Sequence, residues 1–267
     1  MSRSFGALVI GDEILSGRRE DQHLRRVIAT LESRGLALAW AHYIGDEPAR
    51  IVFELRAAVA AKDVVFSFGG IGATPDDHTR RCAGEALGLP LELHPEAHVL
   101  IEQRAREMAQ EKGVAFDPSA PEHQRRLQLG VFPRGAALIP NPYNRIPGFS
   151  VGDLHFMPGF PVMAHPMLEW VMDHRYPQEI GAGGRAFHAV RVRGANESAL
   201  IPVFERVERD FPGVKTFSLP SVDHPTWGVH IEIGVKGEGA ARVAEAMAAL
   251  RAGAAATGAQ EIAGTAV

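Results

Sequence analysis

Three short stretches of this sequence set acids next to glycine or a few residues after it. They are Gly11-Asp12-Glu13-Ile14-Leu15-Ser16-Gly17, Gly45-Asp46-Glu47 and Gly69-Gly70-Ile71-Gly72-Ala73-Thr74-Pro75-Asp76-Asp77-His78-Thr79. Glycines turn tightly and let a phosphate approach backbone amides closely. A helix start after such a turn adds unpaired N–H groups and the positive end of a dipole, which favours an anion. Asp12, Asp46 and Asp77 have the hard-oxygen character that Mg²⁺ or Mn²⁺ takes when a phosphate also holds it. An acidic trio beside a phosphate loop would otherwise repel its ligand, so a bridging divalent cation is physically sensible. The plainer alternative is an ordinary glycine turn whose Asp76 or Asp77 caps the next helix. That alternative leaves the acids of the other two stretches unexplained.

The elements that must position these residues follow from hydrophobic periodicity. Phe5–Ile10, Leu36–Tyr43 and Asp63–Phe68 read as strands, and each of the three stretches follows one of them. In open parallel sheets, ligands bind at the carboxyl ends of strands. Helices are expected over Asp21–Arg34, where Leu24, Val27, Ile28 and Leu31 share a face, and over Pro48–Ala60, Asp77–Leu87, Pro95–Lys112 and Pro161–His174. A strand near Ala136–Ile139 and a hairpin of Ile146–Val151 with Leu154–Met157 complete the first domain. Strands alternating with helices imply a mostly parallel sheet covered on both faces. The Gly/Ala-rich stretch 181–184 reads as a linker. Beyond it, a β-α-β-β-α order implies a small α+β open-faced sandwich, with Trp227–Lys236 the clearest strand and a Val243, Met247, Leu250 stripe on the last helix. The expected organisation is therefore α/β: a three-layer domain over 1–178, a small α+β domain over 185–255, and a flexible tail over 256–267.

Composition narrows the function. Among 267 residues, 46% are hydrophobic, and the formal charge is −4, so no global field draws the chain to nucleic acid or an acidic membrane. The order of the small domain is similar to a KH-like module, but it lacks a basic Gly-x-x-Gly clamp and its first helix carries Glu197, Glu205, Glu208 and Asp210. No nucleic-acid partner is expected. A single cysteine, Cys82, excludes an internal disulfide framework and reads as a small buried residue. No signal-peptide pattern and no apolar run of about 20 residues is present, so a cytoplasmic protein without a membrane partner is expected. The histidines His155, His165 and His174 lack metal spacing with cysteine and read as surface or packing residues. Ser16 has no nucleophile elbow or His/Asp partner.

The Gly11–Gly17 and Gly69–Thr79 stretches together resemble the paired signatures of the molybdopterin-binding (molybdenum cofactor biosynthesis) domain superfamily. The nearer resemblance is to the N-terminal part of the competence/damage-inducible protein A family. Pro140-Asn141-Pro142, Pro147-Gly148-Phe149 and Pro158-Gly159-Phe160-Pro161 agree with it. The resemblance covers roughly residues 4–175. It implies a molybdopterin or adenine nucleotide lying across the strand ends, and a homo-oligomer. It further implies that Asp77 and Asp46 hold a divalent metal, Mg²⁺, Mn²⁺ or Co²⁺, in the catalytic role. Asp12, Glu13, Ser16, Thr74, Pro147, Gly148, Pro158 and Gly159 would line the ligand, and Gly69, Gly70 and Gly72 would hold phosphate. Longer relatives carry a C-terminal amidase domain, for which no room is expected here.

The sequence also departs from that family. His23 stands where the family has asparagine, Val162 and Met163 follow Pro161 where an acid is usual, and Glu122-His123-Gln124-Arg125-Arg126 replaces a polar Asn-Lys-Gln run. The leading expectation is a metal-dependent nucleotide pyrophosphatase acting on a molecule like ADP-ribose, a hydrolase. The alternative is a protein that binds molybdopterin or a nucleotide without turnover. Asp77 is expected to offer a free carboxylate, because the glycine loop before it contributes little to the core.

Overall fold

The computed structural model describes residues 3–180 and 185–262, and the expected linker at 181–184 lies outside them. The chain divides into two compact units, 1–180 and 181–267. Unit 1 begins β1 (Phe5–Ile10), α1 (Asp12–Leu15), α2 (His23–Glu32), β2 (Leu38–Ile44), α3 (Pro48–Ala61), β3 (Val64–Phe68) and α4 (Thr79–Leu87). It continues β4 (Leu91–Leu93), α5 (Pro95–Glu111), α6 (Pro121–Leu127), β5 (Val131–Pro133), β6 (Ala137–Ile139), β7 (Gly148–Val151), β8 (Leu154–Met157) and α7 (Pro161–Arg175).

The main sheet runs β2-β1-β3-β8-β7-β6. Strands β2, β1, β3 and β8 are parallel, and β7 and β6 add antiparallel pairs, as the expected hairpin requires. Every residue of β1 and β3 is buried, because helices cover both faces. Leu8, Val65 and Phe156 face the α3, α4 and α5 side with Leu55, Cys82, Ile101 and Phe132. Val9, Phe66 and Phe68 face α2 and α7 with Val27, Leu31, Leu168 and Val171. Phe132, Phe149 and Phe156 form a stacked column with centroids 4.6 and 4.5 Å apart, a geometry worth about 0.5–1.5 kcal/mol per pair beyond burial.

Unit 2 comprises β9 (Arg185–Arg193), α8 (Glu197–Asp210), β10 (Lys215–His224), β11 (Gly228–Glu238), α9 (Ala240–Ala256) and β12 (Gln260–Glu261). Its antiparallel sheet is ordered β10-β11-β9-β12, and Val243, Met247 and Leu250 are buried beneath it as their spacing predicts. Asn196 accepts the Ala199 N–H at 2.9 Å and caps α8. One expectation fails here. The flexible tail does not begin at 256: α9 runs to Ala256, and Gln260 and Glu261 pair with Arg193 and Val192 of β9. The strand is only two residues long and both are polar and exposed, so it carries no apolar pattern in the sequence. Among the described residues, no helix is long and apolar enough to cross a membrane.

Candidate functional site at the strand ends

Because β2, β1, β3 and β8 are parallel, their carboxyl ends, Ile44, Ile10, Phe68 and Met157, lie along one edge of the sheet. The Gly11 N–H donates to the Ile44 carbonyl at 3.0 Å, and the Gly69 N–H to the Met157 carbonyl at 3.0 Å. Gly69 has φ +100°, and a Cβ there would sit 2.2 Å from the Ile10 carbonyl oxygen. Only glycine therefore brings the loop after β3 against the end of β1.

Asp12 and Asp46 meet across this edge. The Asp12 N–H donates to Asp46 Oδ2 at 3.0 Å, and the Asp46 N–H to Asp12 Oδ1 at 3.3 Å. Asp12 opens α1, whose Gly11 cap supplies no side-chain acceptor, so Asp46 fills that role from another loop. Burial pushes the Asp46 carboxyl above the usual carboxylate range, and the charges of Asp12, Glu13 and Asp76 add to the effect.

Asp77 turns into its own loop. Its Oδ1 accepts the Gly72 N–H at 2.9 Å, and Oδ2 accepts the Thr74 N–H at 2.8 Å and the Thr74 hydroxyl at 2.5 Å. A Cβ on Gly72 would meet that carboxylate at 2.4 Å. Asp77 neither caps α4, whose cap residue is His78 without a side-chain bond, nor offers the free carboxylate expected of it. The Gly72 amide is likewise consumed by Asp77, which corrects its expected role in holding phosphate. Among the described residues, the Gly70, Ile71, Ala73 and His78 amides of the loop have no protein acceptor.

Two neighbours complete the loop. Thr79, fully buried, donates its hydroxyl to the Gly69 carbonyl at 3.1 Å, and its N–H to Gly70 O at 3.0 Å. Arg80 donates from Nη2 to the Gly72 carbonyl, while its buried Nε has no partner. Burial weakens the Arg80 guanidinium's hold on its proton, and Asp77 counters this. Sequence reading missed Arg80 because it follows the motif by one residue. Its only signal is a cation in the first turn of a helix whose dipole already favours anions.

His23, the departure from the family pattern, lies at the same edge. It is buried, stacks on Phe68 at 4.5 Å and donates from Nε2 to the Gly159 carbonyl at 3.2 Å. Burial lowers its pKa and keeps the ring neutral, consistent with one donating nitrogen. Asp21 fixes it by accepting the His23 N–H at 2.8 Å and the Tyr43 hydroxyl at 2.7 Å. Gly159 in turn lies against Gly69, its missing Cβ 3.6 Å from that Cα. Gly159 is therefore part of the edge.

Pro147 and Gly148 are buried, and a Cβ on Gly148 would collide with the Phe156 carbonyl and Met167, so Gly148 is packed closely within the sheet. Ser16 is exposed and bonds back to the Glu13 carbonyl at 3.4 Å. Glu13 pairs loosely with Arg19 at 3.8 Å. His155 is fully buried between Ser150 Oγ at 2.8 Å and Tyr176 OH at 2.6 Å, a packing role as expected. Among the described residues, no group of three His, Cys, Asp or Glu is arranged to hold a metal ion. The carboxylates present do not fit a cation shared by Asp46 and Asp77.

Known proteins resemble this chain over the same region. The family described as "Probable molybdopterin binding domain" matches residues 6–178. A protein of Caldivirga maquilingensis is 30% identical over 86% of this chain and 87% of its own. A CinA-like protein of Syntrophotalea carbinolica is 29% identical over 74% of this chain and 47% of its own, so the chain spans about half of that relative. The crystal structure of the protein CinA from Thermoplasma acidophilum aligns with a TM-score of 0.53 at 24% identity, covering 64% of this chain and 97% of that one. That likeness speaks to the fold.

Proposed function

The chain belongs to the molybdopterin-binding domain family and is CinA-like, and from that premise we propose that unit 1 binds a small phosphate-bearing molecule, a pterin phosphate or an adenine nucleotide, without turning it over. The observation that carries this reading is the state of the glycine loop. Asp77, Thr79 and Arg80 hold its backbone fixed and leave the Gly70 and Ile71 amides without a protein acceptor, with Gly70 tied to the start of α4 by the Thr79 N–H. A preset pair of donors beside a helix dipole and a guanidinium suits a phosphate dianion and costs little reorganisation on binding. Asp77 contributes by fixing the loop, and its charge is shielded by the N–H groups it accepts.

A second reading, metal-dependent hydrolysis of a nucleotide pyrophosphate, is favoured by one feature. Asp46 has Asp12, Glu13 and Asp76 as like-charged neighbours, and although these acids do not by themselves form a ligand set, a cation held also by the ligand's phosphates would relieve their repulsion. In that reading the metal belongs at Asp46, away from Asp77. Calorimetry with AMP and ADP-ribose, in EDTA and in Mn²⁺, combined with chromatography of the products, separates the two. Binding in EDTA with no product supports the first reading. AMP released from ADP-ribose only in Mn²⁺ replaces it with the second.

A further inference from the structure

A cleft of about 140 Å³ opens between α5, α6 and the loop joining them, and it shares no residue with the strand-end edge. Its volume is close to the roughly 150 Å³ of a protein cavity that holds one benzene ring. Small side chains, Ala105 and Ala109 among them, leave it hollow, and Phe116 supplies an aromatic wall. His123 lines it, is 5% exposed and meets Phe116 edge-on at 5.0 Å. The His123 Nδ1 is buried with no hydrogen-bond partner, which native interiors seldom leave unmet.

The charges at the cleft are uneven. Glu122 is neutralised by Arg126 at 2.8 Å, and Asp117 is occupied by the Ser119 N–H and hydroxyl at 2.8 and 2.7 Å. Lys112 lines the same cleft and has no carboxylate partner among the described residues. An apolar space sized for one ring beside an unpaired ammonium describes one class of molecule. We propose that the α5–α6 cleft binds a single-ring aromatic carboxylate, its ring beside Phe116 and His123 and its carboxylate at Lys112.

Sodium benzoate is the probe, titrated into the full chain by calorimetry and by NMR of the His123 and Phe116 ring protons. Saturable binding that shifts those protons is expected, with acetate and benzyl alcohol each at least about tenfold weaker. Lys112→Gln, at an exposed position, should weaken benzoate about fivefold or more, and Ala109→Phe should abolish binding by filling the space. No benzoate shift at His123 up to millimolar concentration, or equal binding of benzyl alcohol, overturns the proposal. If Ala109→Phe does not fold, Lys112→Gln decides alone, and unchanged affinity in it is equally fatal.

Discussion

Asp12 and Asp46 each accept the other's backbone N–H, at 3.0 and 3.3 Å, and so lock the end of β1 to the end of β2. The bond to the Asp12 N–H needs an oxygen and not a charge. Asp46→Asn should therefore keep it, while Asp46→Ala leaves α1 uncapped at a cost of about 1 kcal/mol. Thermal melts should show the alanine variant lower by about 2–4 °C and the asparagine variant near the parent. Equal melting of the two variants would show that the reciprocal bond contributes nothing.

Asp77→Asn tests the loop. The amide nitrogen of asparagine cannot accept, so one of the N–H groups of Gly72 and Thr74 loses its acceptor, at about 1–3 kcal/mol. AMP affinity should fall to a similar degree with and without Mn²⁺, since what is lost is loop order. A variant of parental stability whose defect appears only in Mn²⁺ would return Asp77 to the metal.

Arg80→Gln removes the buried cation behind the glycine loop while keeping an N–H for the Gly72 carbonyl. AMP affinity should drop about tenfold, or ~1.4 kcal/mol, and its sensitivity to added KCl should shrink. Unchanged affinity would leave the amides and the helix dipole as the whole anion site.

His155 makes stability sensitive to acid. Burial lowers its pKa from 6.5 to about 3, with Arg175 adding to the effect. The unfolded chain thus binds a proton below about pH 6.5 that the folded chain refuses until about pH 3. Stability attributable to this group is intact above pH 6.5 and declines as pH falls through that window, on the order of 1 kcal/mol per unit. Urea midpoints measured from pH 8 to pH 4 should fall less steeply for His155→Gln than for the parent. Parallel curves would assign the acid loss to other groups; the lowered pKa values of His23, His123 and His165 act in the same direction.

Much of the scaffold was legible because burial imposes period. The stripe of Val27 and Leu31 fixed α2, and the alternation of Ile231, Ile233 and Val235 fixed β11. The three strand-end turns were legible as well, since acids beside glycine after apolar runs have few structural uses. What the sequence hid was orientation. Whether the Asp77 carboxylate is free or bound depends on how the loop folds back on itself, and the amides of Gly72 and Thr74 bind it. Short elements were hidden too: α1 has too few residues to show a period, and β4 with β5 is a three-residue ladder whose partners are distant in sequence. His23 and Arg80 could be named only once the fold had brought α2 and α4 to the same edge.

The pairing of β3 with β8 also governs when the strand-end edge can come into being. β1, β2 and β3 associate through neighbouring segments, but β8 reaches β3 only after α4, α5 and α6 have been threaded between them. The Gly69 N–H finds its acceptor, Met157, in that last step, and Gly159 reaches Gly69 with it. Closing so long a loop is entropically slow. On a nascent or refolding chain, the glycine loop would therefore exist before it has a floor, and any ligand bound there, as proposed, would have to wait for the β3–β8 pairing.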